Sequence, residues 1–500
     1  MVLIFQKEDP KMATATPERL VLSENIDEAF EDIIHREFGE TRLQLNELED
    51  GLNITAQELE DAFRQRPVSA AILTLRDPRT GTIMEFPSWR HQVGALDETD
   101  TGEHEDDSRS RGGLELSSDV TSEKILDKAL AMYVKHLVGD TGNIGGKSGI
   151  HATPEQLDWL KRNPEARAEL LRQYTIAHDI NPFTNVTATD IGTFTADMDA
   201  IAEALLQNSK YQQYAGAGAS GASSRYGGLP DWHGRHTGAG ADIVLDRYLQ
   251  RAAATNPRIR EAIAGGRPLR ALIQGLGKAG AHTLLELPDY VQPAGAYERA
   301  GGAVAPEDGV LDRRQLLAAA QADGLSATSV SGARWLEPDE RDKTDKRDKF
   351  WASGAHVLIP AFDRYQVTAE NVSQFHRLGG IAILSVANHP LTDDAKREAR
   401  RLHIDEISDV VANGGGTRSS QALWDMMMDP QNWDADTAEA KWKKGMEDMA
   451  DAALDMRDRL SQKRHEFVAI DEAVKLLAVR RAVLRLRAHR QNRQTLDVAA

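Results

Sequence analysis

The chain has 500 residues, more than one hydrophobic core usually serves, so two or three domains are expected. Its net charge of −18, from 60 basic and 78 acidic residues, argues against general binding to nucleic acid or to a membrane surface. The sequence has no cysteine, which excludes disulfides, thiolate metal sites and cysteine nucleophiles. Neither a signal peptide nor an apolar run of membrane-spanning length is found, so we expect a cytoplasmic protein without a membrane partner.

The N-terminal part of the chain predicts helices followed by a strand hairpin. Helical periodicity runs through residues 18–65, and two strand-like segments at 68–75 and 82–86 flank a turn. Residues 97–110 are acidic, polar and free of large apolar side chains. Such a composition is typical of a mobile surface loop.

A glycine-rich segment at 142–150 follows a helix predicted over 122–138 and holds a single lysine, Lys147. We interpret the segment as a turn, in which neighbours without side chains let a ligand approach the ammonium and the backbone closely. Burial disfavours the charged form of a lysine, so such a residue could act as a base near neutral pH. The alternative is an ordinary turn with an exposed lysine.

Two further segments precede the expected boundary between the domains. Residues 180–190 predict a loop or short strand, and a helix is expected after them. The low-complexity run at 215–228, rich in glycine, alanine and serine, is typical of a mobile connection between domains.

A second glycine-rich loop has the features of a dinucleotide-binding turn. A buried-type strand at 269–274 leads into Gly275-Leu276-Gly277-Lys278-Ala279-Gly280, and a helix is predicted from Ala281. In G-x-G-x-x-G the first glycine allows the tight turn, the second lets the backbone reach a pyrophosphate, and the third lets helix and strand pack closely. The free N–H groups at the helix N-terminus then face the phosphates. The alternative is a structural turn that binds no nucleotide.

The residues at the end of the next strand indicate whether the cofactor is NAD or NADP. An acidic residue about 20 positions after the first glycine usually holds the ribose 2′-hydroxyl. Glu298, 23 residues after Gly275, ends a strand predicted over 291–297 and favours NAD. Arg299 beside it could accept a 2′-phosphate, so NADP stays open.

The remaining elements complete an alternating pattern. Strand-like segments at 355–359 and 380–385 are separated by helical stretches, which favours a parallel sheet. From about Thr437 the chain is predicted to be helical. Its last segment is a basic amphipathic helix, a type that binds membranes or partners, but we expect it to pack back on the first domain.

Taken together, these segments resemble the glutamate/leucine/phenylalanine/valine dehydrogenase superfamily over roughly residues 65–425. Residues 145–150 are similar to the family's G-G-x-K-x-G loop, one residue shorter before the lysine, which implies that Lys147 is the catalytic lysine. Lys135, 12 positions earlier, matches the lysine that holds the substrate α-carboxylate. Arg111, 24 positions earlier still, stands in the family's K-G-G-[LI] segment.

Four more motifs follow in the family's order. Residues 187–190 are similar to P-A-x-D, which makes Asp190 the candidate catalytic aspartate. Thr237 stands in a match to A-T-G-x-G, whose threonine lies near the nicotinamide, and Asn388 in a match to A-N-x-P-x-T, a loop around the nicotinamide ribose. Ser419 ends a match to N-x-G-G-x-x-x-S, whose serine helps to hold the side-chain carboxylate in glutamate-specific members.

The resemblance implies an α/β protein of two domains with a C-terminal helical segment packing back on the first. The expected ranges are an N-terminal substrate and oligomerisation domain at 1–230, a Rossmann-type NAD(P)-binding domain at 231–430, and C-terminal helices at 431–500. The family's tendency to assemble implies a homo-oligomer.

It also implies the reaction, the oxidative deamination of an L-amino acid to a 2-oxo acid and ammonia with NAD or NADP, and its reverse. Lys135 would anchor the α-carboxylate in the cleft between the domains, and Lys147, neutral in its buried and cationic surroundings, would activate the attacking water. Asp190 would carry protons to and from the amino nitrogen. The cofactor would be held by Thr237, Gly275, Gly277, Lys278, Ala279, Gly280, Glu298 and Asn388.

Departures from the family leave the substrate open. Glutamate enzymes have lysine where Arg111 stands, and enzymes for apolar substrates have an apolar residue there. Arg111 with Ser419 keeps a cation and a hydroxyl, which favours glutamate or another polar or dicarboxylate substrate. Ser385 and Val386 replace a more usual Glu-Gly pair. The alternatives are a biosynthetic dehydrogenase or imine reductase for an unusual amino acid, or a non-catalytic NAD(P)-binding regulator. His151, His233 and His236 have no metal-ligand spacing, so no metal site is predicted.

Overall fold

The computed structural model describes residues 26–48, 52–65, 69–94, 109–229, 232–298, 301–306, 308–322, 325, 330–336, 350–351 and 353–499. Arg299 and positions 97–108 of the predicted acidic loop lie outside the described residues. The chain divides into two compact units. The first unit comprises Met1–Pro230, Ser420–Ala438 and Ala478–Ala500, and the second comprises Asp231–Ser419 and Glu439–Leu477. The predicted C-terminal segment 431–500 thus contributes to both.

The first unit is built on a mixed sheet with helices around it. Its strands are β1 Ser69–Arg76, β2 Ile83–Val93, β3 Ser110–Ser117, β4 Ile144–His151, β5 Asn185–Thr189 and β6 Ala219–Ser220. Its helices before residue 230 are α1 Ile26–Leu48, α2 Ala56–Ala62, α3 Ser122–Val138, α4 Pro154–Arg162, α5 Pro164–Ala177 and α6 Thr195–Leu206. The described strands pair in the order β1-β2-β4-β3-β5-β6. The hairpin β1–β2 is antiparallel, as predicted, and β4, β3, β5 and β6 run parallel to one another.

The segment around Lys147 is strand β4, so the prediction of a glycine-rich turn was wrong. Its glycines let helix α3 lie directly on the strand. A Cβ on Gly145 would lie 2.2 Å from the carbonyl oxygen of Ala129, and one on Gly149 would lie 2.7 Å from Cδ1 of Ile125. The glycines are therefore required by the packing of a helix and not by a reversal of the chain.

The run at 215–228 was also misread, because it packs inside the first unit instead of linking domains. It contains two 3-10 helices, Gln212–Gly218 and Ser224–Tyr226, and strand β6, which pairs with β5. Small side chains are needed here since a Cβ on Gly216 would lie 1.8 Å from the carbonyl oxygen of Tyr226. Small residues in a row therefore reflect close packing in this unit.

The second unit carries a seven-stranded sheet, counted over its described residues, in the order β10-β9-β8-β7-β11-β12-β13. The strands are β7 Leu269–Gln274, β8 Val291–Glu298, β9 Gly301–Val304, β10 Arg334–Leu336, β11 Val357–Pro360, β12 Ala382–Leu384 and β13 Asp405–Ile407. Strands β8, β7, β11, β12 and β13 are parallel, as predicted, but β9 is antiparallel to both neighbours. The helices are α7 Trp232–Ala252, α8 Pro257–Ile263, α9 Lys278–Glu286, α10 Arg313–Ala322, α11 Ala369–Arg377, α12 Asp393–Arg401 and α13 Asp409–Ala412.

Three last helices follow, namely α14 Gly415–Met428, α15 Ala435–Arg464 and α16 Ile470–Ala499. In the first unit, Arg481 of α16 donates to the carbonyl oxygens of Leu137 and Val138 at 3.0 and 2.6 Å. Arg487 also donates to both carboxylate oxygens of Glu58. The prediction that the last helix packs on the first domain is confirmed for this part of α16. None of the described helices is long and apolar enough to cross a membrane.

The close packing of α3 on β4 predicts that Gly145→Ala destabilises the first unit by about 1–3 kcal/mol, because its methyl group would overlap a helix carbonyl. Gly39→Ala is the matched control. Gly39 lies within α1 with open space around a Cβ, so alanine should stabilise by about 0.5–1 kcal/mol. Urea unfolding measures both, and an unchanged unfolding midpoint for Gly145→Ala would contradict the packing argument.

Candidate active site

The side chains of Arg111 and Lys147 lie on one face of the sheet in the first unit. Side chains alternate along a strand, so Lys147 faces helix α3 together with Gly145 and Gly149. In the parallel register Arg111 pairs with Gly145, which puts the Arg111 side chain on the same face. The parallel strands β3 and β4, with Asp190 directly after β5, therefore bring Arg111, Lys147 and Asp190 to one surface of the sheet.

Lys147 and Asp190 form an ion pair between Nζ and Oδ2. Lys147 is buried, and the Asp190 side chain is 22% exposed. The aspartate follows β5 directly, and its backbone N–H donates to Oγ1 of Thr193 at 2.8 Å. Gly113 of β3 leaves room for the carboxylate, because a Cβ there would lie 2.8 Å from Cβ of Asp190. The two predicted catalytic residues are thus in direct contact.

The electrostatics of Asp190 favour its ionised form. Burial raises the pKa of its carboxyl group, but the positive charges of Lys147 and Lys128, with hydrogen bonds, outweigh burial and bring the pKa to about 2. Asp190 is therefore a carboxylate at neutral pH. The predicted neutral form of Lys147 would require that its proton first leave this ion pair, and it stays a prediction.

Arg111 is buried, and among the residues that the structure describes only the Nη1 atom of its guanidinium has a hydrogen-bond partner. Nη1 donates to the carbonyl oxygen of Ser420 at 3.0 Å, and the guanidinium lies 5.2 Å from the ring centre of Trp424. Within the described part of the chain, neither Nε nor Nη2 of Arg111 has a hydrogen-bond partner. Burial, and then the charge of Arg109, lower the pKa of Arg111 to about 9 against the opposing effect of Asp425, so the group is cationic at neutral pH.

The other two predicted substrate residues, Lys135 and Ser419, have different environments. Lys135 is half-buried in the last turn of α3. Ser419 belongs to the second unit, where its side chain is fully buried and its hydroxyl donates to the carbonyl oxygen of Gly416 at 2.9 Å. Its backbone carbonyl accepts a hydrogen bond from the indole of Trp232. The Ser419 hydroxyl is therefore hydrogen-bonded within its own helix, and its role in binding a substrate stays a prediction.

In the glycine loop of the second unit, each glycine has the environment that the G-x-G-x-x-G motif predicts for it. Gly275 has φ of +91°, a conformation that favours glycine. Gly277 caps helix α9 and has nothing within 4 Å of a Cβ position, which leaves space over the loop. A Cβ on Gly280 would lie 1.9 Å from the carbonyl oxygen of Gly275. The helix begins at Lys278, three residues before the predicted Ala281, so Lys278 and Ala279 form its first turn.

The remaining cofactor candidates are Glu298 at the end of β8, Asn388 on a loop and Thr237 in helix α7, all in the second unit. The Glu298 carboxylate accepts a hydrogen bond from the backbone N–H of Leu276 in the glycine loop. Asn388 is exposed, and its Oδ1 accepts from Nδ2 of Asn413 at 3.0 Å. Thr237 donates to the carbonyl oxygen of His233 at 2.8 Å within α7. A turn with positive φ, open space at its second glycine and a helix N-terminus fit the pyrophosphate of a dinucleotide.

Sequence reasoning missed a second buried ion pair beside Asp190. Glu115 of β3 is fully buried and pairs with Lys128 of α3, which is also buried. A glutamate between Leu114 and Leu116 was the available signal, since a buried carboxylate needs a partner. No group of three or more histidine, aspartate or glutamate residues suited to a metal ion occurs among the residues that the structure describes.

Comparison with known proteins gives matches over both units. The family model described as Glutamate/Leucine/Phenylalanine/Valine dehydrogenase matches residues 227–484, and that of the Glu/Leu/Phe/Val dehydrogenase dimerisation domain matches residues 104–207. The chain is 25% identical to the NADP-specific glutamate dehydrogenase of Saccharolobus shibatae, over 69% of this chain and 72% of that protein. It is 24% identical to the NAD-specific glutamate dehydrogenase A of Halobacterium salinarum, over 80% and 86%.

Solved structures give the same fold. The hetero-hexameric glutamate dehydrogenase of Thermus thermophilus in its leucine-bound form has a TM-score of 0.69 at 20% identity, covering 91% of this chain and 97% of that one. Glutamate dehydrogenase 2 of Plasmodium falciparum has a TM-score of 0.72 at 14% identity, covering 92% and 93%. At such identities the likeness establishes the fold.

The ion pair at Lys147 predicts energetic coupling between its two partners. In a double-mutant cycle, Lys147→Met and Asp190→Asn should show a coupling of about 1–3 kcal/mol at pH 7, because either single change leaves the other charge without its partner. The pKa of Asp190 lies below its ordinary value of 3.8, so this stabilisation is present above about pH 4 and is lost as the pH falls toward about 2.

The same cycle on Arg225 and Glu203, an exposed pair at 3.5 Å, serves as control and should show no measurable coupling. Unfolding by urea at pH 7 measures both cycles. Equal coupling in the two pairs would mean that burial contributes nothing at Lys147.

Proposed function

Because this chain belongs to the glutamate/leucine/phenylalanine/valine dehydrogenase family, we propose that it oxidatively deaminates L-glutamate or a similar acidic amino acid with NAD or NADP, and catalyses the reverse reductive amination. The observation that carries the acidic substrate is Arg111. Its Nε and Nη2 together form one edge of the guanidinium, and that edge has no acceptor among the described residues. Two parallel N–H groups match the two oxygens of a carboxylate.

Lys135, Asp190 and Lys147 each have a separate role in the proposed mechanism. A nicotinamide cofactor, which the glycine loop with Thr237 and Asn388 would hold, would supply the acceptor for the hydride of the substrate Cα. Lys135 binds the α-carboxylate and fixes the direction of the Cα–H bond. The Asp190 carboxylate takes a proton from the substrate ammonium and passes it to solvent, and the ionised carboxylate then stabilises the positive charge of the iminium. Lys147, neutral once its proton has passed to solvent, takes a proton from the water that attacks the iminium carbon. A proton then passes through Asp190 to the amino nitrogen, and ammonia leaves as the hydroxyl of the carbinolamine loses its proton and becomes the carbonyl of the 2-oxo acid.

The side-chain acid of the substrate would be held by Arg111. Its third nitrogen, Nη1, is already anchored on the carbonyl oxygen of Ser420, and the indole of Trp424 lies beside the guanidinium. The fork is therefore oriented before a substrate arrives, which reduces the entropy lost on binding. Lysine at this position would offer a point charge on a mobile stem instead.

We propose NAD as the better cofactor. The Glu298 carboxylate at the end of β8 is held by the N–H of Leu276, so a negative charge faces the ribose position of the glycine loop. A carboxylate there accepts a hydrogen bond from a 2′-hydroxyl and repels a 2′-phosphate. Lys278 in the exposed first turn of α9 adds a positive charge for the pyrophosphate.

We also propose that the protein is a cytoplasmic homo-oligomer. The match of residues 104–207 to the family's dimerisation domain supports the assembly.

The proposed substrate class is tested by following the absorbance of reduced nicotinamide with a panel of amino acids, and with 2-oxo acids plus ammonia. Glutamate or a related acidic amino acid should be turned over fastest. Arg111→Met should lower kcat/KM for that substrate about 100-fold, through loss of a buried charge-assisted contact, and should spare an apolar substrate such as norvaline. Arg225→Met, which changes an exposed arginine, is the control.

Turnover of apolar amino acids alone would contradict the acidic substrate. Binding of NAD(P) without turnover of any amino acid or 2-oxo acid would point to a non-catalytic regulator.

The cofactor proposal is tested by Glu298→Ser. Loss of the carboxylate should raise the KM for NAD about 10-fold and improve kcat/KM with NADP, because a hydrogen bond and a repulsive charge disappear together. Glu370→Gln, which changes an exposed carboxylate in the first turn of α11, is the control. A wild type that prefers NADP, or a Glu298→Ser variant with unchanged preference, would contradict the assignment.

A further inference from the structure

We propose that His236 is a positioning residue, which forms a proton-dependent clamp with Glu439 and so fixes the first turn of helix α14, the turn that ends at Ser419. The inference rests on the proposed function, in which Ser419 is a candidate for binding the side-chain acid of the substrate. His236 stands where the A-T-G-x-G segment of the family has alanine, so the clamp belongs to this chain and not to that motif.

Both ring nitrogens of His236 face hydrogen-bond acceptors. Nδ1 lies 2.6 Å from the carbonyl oxygen of Trp232, and Nε2 lies 2.8 Å from Oε2 of Glu439. Glu439 is also paired with Arg235 at 3.0 Å, so it is a carboxylate and cannot donate. Two hydrogen bonds therefore require a proton on each ring nitrogen, which makes His236 an imidazolium in this arrangement.

Two indoles connect the imidazole to helix α14. The His236 side chain is fully buried between Trp232 and Trp442, whose ring centres lie 4.1 and 4.2 Å from its own. The indole N–H of Trp442 donates to the carbonyl oxygen of Gly415 at 3.0 Å. That of Trp232 donates to the carbonyl oxygen of Ser419, also at 3.0 Å. Residues 415 and 419 are about one helical turn apart, so the imidazole holds the donors for both ends of that turn in place.

The same turn lies directly against helix α7. A Cβ on Gly415 would lie 2.0 Å from the carbonyl oxygen of His236, and one on Gly416 would lie 2.7 Å from Oγ1 of Thr237. Thr237 is a candidate for binding the nicotinamide half of the cofactor. A movement of the imidazole is therefore passed to a turn that contacts this cofactor candidate and ends at a substrate candidate.

The charge of His236 responds to burial and to its neighbours. Burial lowers the pKa of the imidazole below its ordinary value of 6.5, while its hydrogen bonds to the Trp232 carbonyl and to Glu439 oppose that effect. Arg235, on the same helix, lowers the pKa as well. Two other charged or titratable side chains at these helix contacts face glycines, namely His233 against Gly416 and Arg418 against Gly445.

Loss of one proton opens the clamp. A neutral ring has a single N–H, so one of the two acceptors then faces a lone pair, and the ring turns away from it. Since the pKa of His236 lies below 6.5, the clamp is closed in mildly acidic solution and opens as the pH rises toward neutrality. The affinity for the acidic amino acid should fall with it, because the position of Ser419 changes.

The test measures the KM for the acidic amino acid, and the tryptophan fluorescence, between about pH 5 and 8 in the full-length protein. In the wild type the KM should rise about 5-fold over this range. His236→Ala should have the high KM at every pH, because the clamp is absent. Glu439→Gln should have the low KM at every pH, because an amide donates to a neutral imidazole and accepts from an imidazolium. His376→Ala, which changes an exposed histidine of α11, is the control and should titrate as the wild type does.

The fluorescence measurement does not depend on turnover. An imidazolium quenches an indole that it contacts, so wild-type fluorescence should rise as the pH increases, and His236→Ala should show no such step. Without turnover of any amino acid the proposed function fails, and the fluorescence step still decides whether the clamp exists. With an active wild type, a fluorescence step that persists in His236→Ala, or a Glu439→Gln variant that loses affinity as His236→Ala does, overturns the clamp and leaves the function intact.

Discussion

The contact of helix α3 with strand β4 sets the geometry on which the rest of the first unit depends. Helix and strand can touch only because Gly145 and Gly149 lack side chains, since any Cβ there would overlap the helix or its side chains. The contact brings lysines from a helix and a strand to one face of the sheet, where Asp190 and Glu115 balance them. Close backbone packing thus decides where the charges lie, and the charges decide which chemistry is possible.

Much of the architecture could be predicted because its signals are local. Helix starts, the hairpin and the G-x-G-x-x-G turn depend on residues a few positions apart, and each has a definite backbone requirement. Glycine-rich runs are different, because glycine serves both reversals of the chain and close approaches between distant elements. The segments at 142–150 and 215–228 were misread for that reason, since the elements that crowd them come from elsewhere in the chain.

Sequence motifs select candidate site residues, but they do not select a residue whose ion-pair partner lies on another element. Lys147 and Asp190 were found from separate motifs, and the fold brings them into contact. Lys128 gave no such signal, because a lysine on an amphipathic helix usually points to solvent and its partner Glu115 lies on another element. Ser419 shows the converse, since its position matches a motif while its hydroxyl is bonded within its own helix.

The Nε–Nη2 edge of Arg111 links recognition to stability. Two N–H groups of this buried cation have no acceptor among the described residues, and a carboxylate that accepts from both would form two charge-assisted hydrogen bonds. An acid bound in this way would also stabilise the folded protein, because it binds the folded state and not the unfolded one.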